Sequence, residues 1–226
     1  DEFISVISHE LRTPIAIAEG NISNAQFVVD RRADTPDAIK ASLKAAYDQI
    51  IFLGGMINDL ATLSRAERGK LTAEIEPINA AELITELHQA YQKHAADKGI
   101  NLYVKADPHL ELLQSSKLYV KEILQNFITN AIKYTEEGSV HVTAHAKHGG
   151  VLFEIHDTGI GISKADKEKV FDKFFRSEDY RTRLHNGTGL GLYVTMKLAR
   201  LVHAEIDLKS EINKGSTFSV YFPDLE

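Results

Sequence analysis

A long apolar repeat at helical spacing in the first 68 residues places the strongest constraint on the fold. Its second half alternates steps of four and three, at Ile39, Leu43, Ala46, Ile50, Leu53, Ile57 and Leu60. Its first half shows the same spacing, at Ile4, Ile7, Leu11, Ile15, Ala18, Ile22, Ala25 and Val29. Such spacing puts apolar side chains on one stripe of a helix. We therefore predict two long helices, with Thr35 as N-cap and Pro36 as first residue of the second.

An isolated pair of such helices leaves apolar surface in water. Each helix has about 30 residues and a length of about 45 Å, and two antiparallel helices cannot enclose both of their own stripes. A second copy related by a twofold axis completes a four-helix bundle. Residues 1–68 are therefore predicted to be an all-α antiparallel hairpin that forms a homodimer.

The pattern changes after a charged stretch at 65–72, which contains Gly69 and is predicted to be a linker. Helices are expected at 80–98, with Asn79 as N-cap and Gly99 as terminator, at about 117–134 after a cap at Ser115 or Ser116, and at about 190–202. Strands are expected at 100–105, 110–114, 139–146, 151–156, 204–210 and 216–222. Residues 72–226 are therefore predicted to form an α+β two-layer sandwich.

Composition removes several classes of function. The chain has no cysteine, which excludes disulfides, thiolate zinc sites and cysteine nucleophiles. Acidic residues outnumber basic ones by 32 to 26, so no overall positive field favours nucleic acid. No apolar run approaches the roughly 20 residues that span a bilayer, so no membrane segment is expected.

The segment SerHisGluLeuArgThrPro at residues 8–14 is the first candidate site. Helical geometry turns His9 about 200° from Ile7, away from the apolar stripe, with Thr13 one turn later on the same face. A neutral imidazole is a nucleophile near pH 7, and a carboxylate such as that of Glu10 can fix its tautomer. An ordinary surface histidine beside a glutamate is the alternative.

A second candidate is a polar stripe on the helix predicted at 117–134. Asn126, Asn130, Lys133 and Tyr134 recur at steps of three and four, so they share one face. Amide oxygens can bind Mg²⁺, an ammonium can meet phosphate and a phenol can contact a base. A solvated polar face would show the same pattern.

Two glycine clusters form the third candidate. The first holds Asp157, Gly159 and Gly161 after a strand, and the second opens a helix with the sequence Gly187, Thr188, Gly189, Leu190 and Gly191. Glycines let backbone N–H groups approach an anion, and a carboxylate can accept from an exocyclic amine such as that of adenine. Neither cluster fits the phosphate loop of P-loop NTPases or the Rossmann spacing. Hairpins and helix caps also use glycine.

The segment between the clusters is expected to be a polar, solvated loop anchored by Phe171, Phe174 and Phe175. Arg176 is its candidate phosphate ligand, whereas Arg181 and Arg183 are assigned to the solvated part. His141 and His145 are interpreted as the outer face of a strand, because no third metal ligand is evident.

Together and in this order, the motifs resemble those of the cytoplasmic catalytic core of two-component sensor histidine kinases. Residues 8–14 match the phospho-acceptor box, 126–135 the asparagine box, 157–161 and 187–192 the two glycine boxes, and 171–176 the phenylalanine box. The resemblance covers essentially the whole chain. It implies an ATP-binding α/β sandwich of the type shared with gyrase, Hsp90 and MutL, tethered to a dimerising hairpin.

The resemblance also implies roles. His9 would accept phosphate, and Glu10 would activate or orient the His9 imidazole. Thr13 would help to position water when the protein that receives the phosphoryl group is dephosphorylated. The partner would be the receiver domain of a response regulator, whose aspartate takes the phosphoryl group.

For the nucleotide, the resemblance implies MgATP. Asn130 would bind Mg²⁺ with Asn126 nearby, and Lys133 and Arg176 would neutralise phosphates. The remaining residues would contact or enclose the nucleotide: Tyr134, Asp157, Gly159, Gly161, Gly187, Thr188, Gly189, Leu190 and Gly191. Serines at 115 and 116 replace a frequent aspartate, and Phe127 a usual leucine.

Two alternatives stay open. Gyrase and Hsp90 relatives carry a water-activating glutamate four residues before the metal asparagine, where this chain has Asn126, so hydrolysis is disfavoured. A non-catalytic dimer scaffold is disfavoured because every side chain that the chemistry requires is present. Because Asp1 already lies inside the helical repeat, the chain is interpreted as the cytoplasmic part of a protein anchored in a bacterial membrane.

Overall fold

The computed structural model describes residues 2–31, 36–67, 71–108, 110–185 and 187–225. The chain divides between Ser64 and Arg65 into two compact units, with residues 186–188 grouped with the first. The first is helical and the second contains all of the described strands. The predicted domain limits, 1–68 and 72–226, stay predictions at the level of single residues.

The first unit consists mainly of two long helices, and the second of them extends three residues past Ser64. They are α1, Glu2–Arg31, and α2, Pro36–Glu67. The prediction of two long helices is confirmed, and α2 begins at the predicted proline; Thr35, its predicted N-cap, lies outside the described residues. Asn24 donates to the Ser42 hydroxyl at 3.2 Å, which ties the two helices together. The predicted linker begins later than Arg65, because α2 continues to Glu67.

Three longer helices of the second unit lie where the sequence predicts them. They are α3, Ala80–Asp97, α4, Lys117–Tyr134, and α7, Gly191–Leu201. Asn79 caps α3 by accepting from the backbone N–H groups of Ala81 and Glu82. Ser116 occupies the N-cap position of α4, but its side chain makes no capping bond. The idea that serine replaces an aspartate cap there is wrong in that respect.

Among its described residues, the second unit has seven strands: β1, Glu76–Ile78, β2, Asn101–Ala106, β3, Leu113–Ser115, β4, Ser139–Lys147, β5, Gly150–Asp157, β6, Glu205–Glu211, and β7, Gly215–Pro223. Five of them form one sheet in the order β2-β4-β5-β7-β6, in which only β2 and β4 pair in parallel. The other two, β1 and β3, form a small antiparallel sheet.

Alternate residues of the five-stranded sheet are buried, as in Val140, Val142 and Ala144 of β4. The helices pack on this buried face: α3 contacts β2, α4 contacts β5 and α7 contacts β6. The rings of Phe127 on α4 and Phe218 on β7 stack between the layers at 4.9 Å. The two-layer α+β sandwich is therefore confirmed.

The sequence misses three short elements. Strand β1 has three residues, and the one-turn helices α5, Lys164–Lys167, and α6, Tyr180–Arg183, have four each. Each is too short for an apolar period to show. Serine and aspartate N-caps, Ser163 and Asp179, mark the two helix starts.

Candidate functional site

Helix α4 presents the polar stripe and buries its opposite side, where Leu124, Phe127 and Ile128 are inaccessible to solvent. The Asn130 amide nitrogen donates to Asn126 Oδ1 at 2.9 Å. This bond fixes the amide orientation and leaves Asn130 Oδ1 as the acceptor suited to a ligand. In the described part of the chain, no three His, Cys, Asp or Glu side chains converge on a metal position. Amide oxygen supplemented by phosphate and water suits Mg²⁺, which retains much of its water.

Positive charge collects at the C-terminal end of α4. Burial lowers the pKa of Lys133 to about 8, with further lowering by the charges of Arg176 and Lys98. Its Nζ lies 4.7 Å from the centre of the Tyr134 ring, a cation–π contact. The Tyr134 ring in turn packs edge-on against His185 at 5.7 Å. Burial disfavours the charged form of Lys133, and an anionic ligand beside it would favour that form. The position of Lys133 therefore suits an anionic ligand.

Asp157 ends β5 with only 5% of its surface exposed. Its Oδ1 accepts from the backbone N–H groups of Gly159, at 2.8 Å, and Ser216, at 3.3 Å. Burial raises the pKa of Asp157, while these two bonds oppose the rise. Because one oxygen is bound to the backbone, the carboxyl group has a fixed orientation and its Oδ2 is the oxygen suited to a ligand N–H.

The first glycine cluster packs against protein backbone. A Cβ at Gly159 would overlap the Tyr134 carbonyl, and one at Gly161, whose φ is +68°, would overlap that of Glu211. The N–H of Ile160 donates to the Tyr134 carbonyl at 3.1 Å. Gly159 therefore allows the loop after β5 to lie directly against the end of α4, which positions Asp157 beside the polar stripe, and Gly161 allows the same loop to lie against the end of β6.

The second glycine cluster approaches the same stripe. A Cβ at Gly191, the first residue of α7, would lie 2.5 Å from Asn126 Nδ2. Gly189 has φ +68° and accepts at its carbonyl from the Phe174 N–H at 2.9 Å. Leu190 is buried and occupies the N-cap position of α7. Gly187 and Thr188 lie in the irregular segment before it.

The segment between the clusters is more ordered than the sequence predicts. The Arg176 guanidinium donates to the His185 carbonyl at 2.8 Å, and Phe171 packs against Phe218. Arg181 pairs with Asp179 at 2.7 Å and donates to Asn213 at 2.7 Å. The expectation of a solvated loop is therefore wrong for Arg181, which fastens the short helix α6. Arg183 is exposed, as expected, although its Nε donates to the Ser177 carbonyl.

Residues 8–14 lie in the helical unit, within α1. The side chains of His9 and Glu10 lie outside the described part of the structure, and Thr13 is exposed. The structure thus brings together in the second unit Asn126, Asn130, Lys133, Tyr134, Asp157, Gly159, Gly161, Gly189, Leu190 and Gly191. Gly187 and Thr188 are not grouped with that unit.

Lys98 and His185 are two residues near the polar stripe that the sequence does not single out. The Lys98 ammonium donates to the carbonyls of Ile132 and Lys133 at the end of α4. A basic residue beside the helix-ending Gly99 would predict bonds to the carbonyls of its own helix, α3, so the sequence held no signal for its contact with α4. His141 and His145 bind Ser139 and Asp107, at 3.0 Å each. No helix among the described residues has the length and apolarity of a membrane span.

Comparison with known proteins agrees with these motifs. Residues 1–69 match the His Kinase A (phospho-acceptor) domain, and residues 116–226 match the histidine kinase-, DNA gyrase B- and HSP90-like ATPase domain. Sensor protein SrrB of Staphylococcus aureus is 33% identical over 231 residues, which cover 100% of this chain and 38% of SrrB. The chain therefore spans well under half of the length of the curated relatives that it matches.

Solved structures share the fold. Acinetobacter baumannii histidine kinase AdeS matches with a TM-score of 0.73 and 23% identity, over 96% of this chain and 98% of that one. Histidine kinase ThkA, in complex with response regulator protein TrrA, matches with a TM-score of 0.73 and 21% identity, over 100% of this chain and 62% of that one. Full-length ShkA, in complex with AMPPNP, matches with a TM-score of 0.71 and 23% identity, over 98% of this chain and 45% of that one. With both domains in order and the whole of this chain aligned to SrrB, the chain belongs to the sensor histidine kinase family.

Proposed function

We propose that this chain is a kinase core that transfers the γ-phosphoryl group of MgATP to His9 and then to an aspartate of a response regulator. The observation that carries the proposal is the fixed group formed by Asn126, Asn130, Lys133 and Asp157 in a chain that also holds SerHisGluLeuArgThrPro. Two fold neighbours support it: ThkA is in complex with a response regulator, and ShkA with AMPPNP.

The nucleotide would lie along α4 between the two glycine clusters. The free oxygen of Asp157 would accept from the adenine amine, and Tyr134 would contact the nucleotide. Asn130 would offer its amide oxygen to Mg²⁺, held in orientation by Asn126. Lys133 and Arg176 would bind phosphate oxygens, because both charges lie at the same end of the helix. When bound, Mg²⁺ supplies charge neutralisation at the transferring phosphate.

The transfer itself asks little covalent chemistry of the protein. A His9 ring nitrogen attacks the γ-phosphorus, a P–N bond forms, and the bond to the bridging oxygen breaks to release ADP. Glu10 would hold or receive the proton of the other ring nitrogen. Positioning and charge neutralisation supply the rate enhancement. When the regulator is dephosphorylated, Thr13 would orient the water that attacks its aspartyl phosphate.

Asn126 favours transfer over hydrolysis. It stands where the gyrase-type resemblance would require a glutamate, and its side chain is bound to Asn130. An amide cannot accept the proton of an attacking water at neutral pH, so the site lacks a base for hydrolysis at that position. The ATPase alternative is therefore weaker than the kinase.

Residues 1–68 would form the homodimer. Leu43, Ile50 and Ile57, spaced by seven along α2, expose 51%, 52% and 54% of their surface. A heptad column of large aliphatic side chains left in water is the pattern of a helix that lacks its partner. We also propose that the core works in the cytoplasm as part of a longer protein anchored in a bacterial membrane. That SrrB extends well beyond the aligned part supports the longer protein.

The discriminating experiment compares bound and released phosphate. Wild-type chain is incubated with γ-labelled MgATP, and both protein-bound label and free phosphate are followed with time. The proposal predicts bound label that is acid-labile and alkali-stable, and free phosphate at a much lower rate. Free phosphate without bound label would establish the ATPase alternative. Neither product, with the chain folded, would leave a non-catalytic scaffold.

A further inference from the structure

Lys98 connects two helices of the second unit. It is the C-cap residue of α3, where its N–H donates to the Ala95 carbonyl, and the N–H of Gly99, which follows with φ +78°, donates to the Ala96 carbonyl. Its half-buried side chain reaches α4, where Nζ donates to the Ile132 carbonyl at 2.8 Å and the Lys133 carbonyl at 2.6 Å. The turn that ends one helix thus delivers a cation to the end of another.

Lys98 binds two of the four carbonyl groups at the C-terminal end of α4. The last four carbonyls of a helix have no partner within it, and in α4 these belong to residues 131–134. Thr135 binds the first of them, and the N–H of Ile160 binds the last. Lys98 binds the two between. An ammonium there also opposes the negative end of the helix dipole.

The same ammonium acts on the ionisation of its neighbours. Its charge contributes to lowering the pKa of Lys133 and of His185. Glu136 opposes this at His185. Burial lowers the pKa of Lys98 itself, again with Glu136 opposing.

We propose that Lys98 is a positioning residue for the triphosphate: it fixes the last turn of α4 so that Lys133 and Tyr134 face the nucleotide, without contacting the nucleotide itself. This inference rests on the proposed function, since it assigns a support to the same site. Two of the three ammonium protons of Lys98 are already directed to backbone carbonyls. Loss of the ammonium would leave both carbonyls unpaired and free the helix end to fray.

Nucleotide binding tests the positioning role. Lys98→Met removes the ammonium and keeps the apolar stem, Lys98→Arg keeps the charge, and Lys93→Met alters an exposed lysine of the same helix. With MgAMPPNP and adenosine as probes in calorimetry at pH 7, we expect Lys98→Met to weaken MgAMPPNP about 10-fold, since two charge-assisted bonds are lost. Adenosine should weaken by less than about threefold, as should MgAMPPNP on the two other variants. Equal MgAMPPNP affinity in Lys98→Met and wild type would overturn the inference.

The titration of His185, followed by NMR on the nucleotide-free chain, provides an independent measurement. Lys98→Met should raise the pKa of His185, because a neighbouring positive charge is removed, whereas Lys98→Arg should not. An unshifted His185 in a folded Lys98→Met chain would contradict the inference. If Lys98→Met does not fold, Lys98→Gln replaces it in both measurements. A wild-type chain that binds no MgAMPPNP would refute the proposed function, while the His185 shift would still test the contact of Lys98 with this helix end.

Discussion

At the scale of the residue, Lys133 carries the most informative charge. Its burial, together with Arg176 and Lys98, holds its pKa at about 8 instead of 10.5. The free site therefore contains a cation that is easily deprotonated, and a bound polyphosphate would oppose that loss. Lys133 should accordingly be more sensitive to pH than an exposed lysine.

This predicts a pH dependence of binding. As pH rises through about 8, Lys133 loses its charge and its attraction for phosphate, so the affinity for MgAMPPNP should fall about 10-fold between pH 7 and 9. Calorimetry across this range, with Lys133→Met as reference, measures the effect. The variant should bind more weakly at pH 7 and show a flatter profile. Parallel profiles for the two chains would contradict the role of Lys133.

The sign for stability is the opposite. Between about pH 8 and 10.5 the unfolded chain holds a proton on Lys133 that the folded chain has released. The free energy of unfolding of wild type relative to Lys133→Met should therefore rise across this window, since stability increases where the unfolded state binds more protons.

At the scale of the element, the contact between α4 and the loop after β5 depends on a missing side chain. Gly159→Ala would drive a methyl group into the Tyr134 carbonyl and break the bond from Ile160. We expect a loss of about 2 kcal/mol in the free energy of unfolding, from overpacking, together with weaker MgAMPPNP binding. Denaturant unfolding measures the first. Gly55→Ala, in open space on α2 and on a different face from Ile50 and Ile57, should instead be neutral or stabilising; equal effects would refute the contact.

Elements with a local signal could be predicted from the sequence. Asn79 and Gly99 mark the ends of α3, and the alternation along β4 and β5 predicts their hairpin within a residue or two. The position of Ser116 is right although its hydroxyl makes no cap. One-turn helices such as α6 carry no period and were missed.

The residues of the site could be predicted from the sequence, but the tertiary contacts that hold them in place could not. The spacing of Asn126, Asn130 and Lys133 places them on one face because a helix has a fixed period. That Lys98 binds the end of their helix is a contact across 34 residues of chain, which no local pattern encodes. The reason for glycine at 159 is likewise a tertiary approach, here to the Tyr134 carbonyl.

At the scale of the whole molecule, the exposed heptad column on α2 predicts dimerisation. Ile50→Glu puts a charge in the middle of the column formed with Leu43 and Ile57. An unpaired buried charge at the proposed interface would cost several kcal/mol, so the variant should sediment as a monomer at concentrations where wild type is a dimer. Lys44→Glu, exposed on the same helix, is the control and should remain dimeric. A monomeric wild type would exclude the proposed bundle.

The measurement that tests the kinase proposal most directly is the location of the phosphoryl group. Wild-type chain, His9→Gln and His141→Gln are incubated with γ-labelled MgATP, denatured in alkali and counted. His141 lies on the outer face of β4 and serves as the matched histidine control. We expect acid-labile label on wild type and His141→Gln and none on His9→Gln. Acid-labile label that persists on His9→Gln would contradict the assignment of His9 as the acceptor.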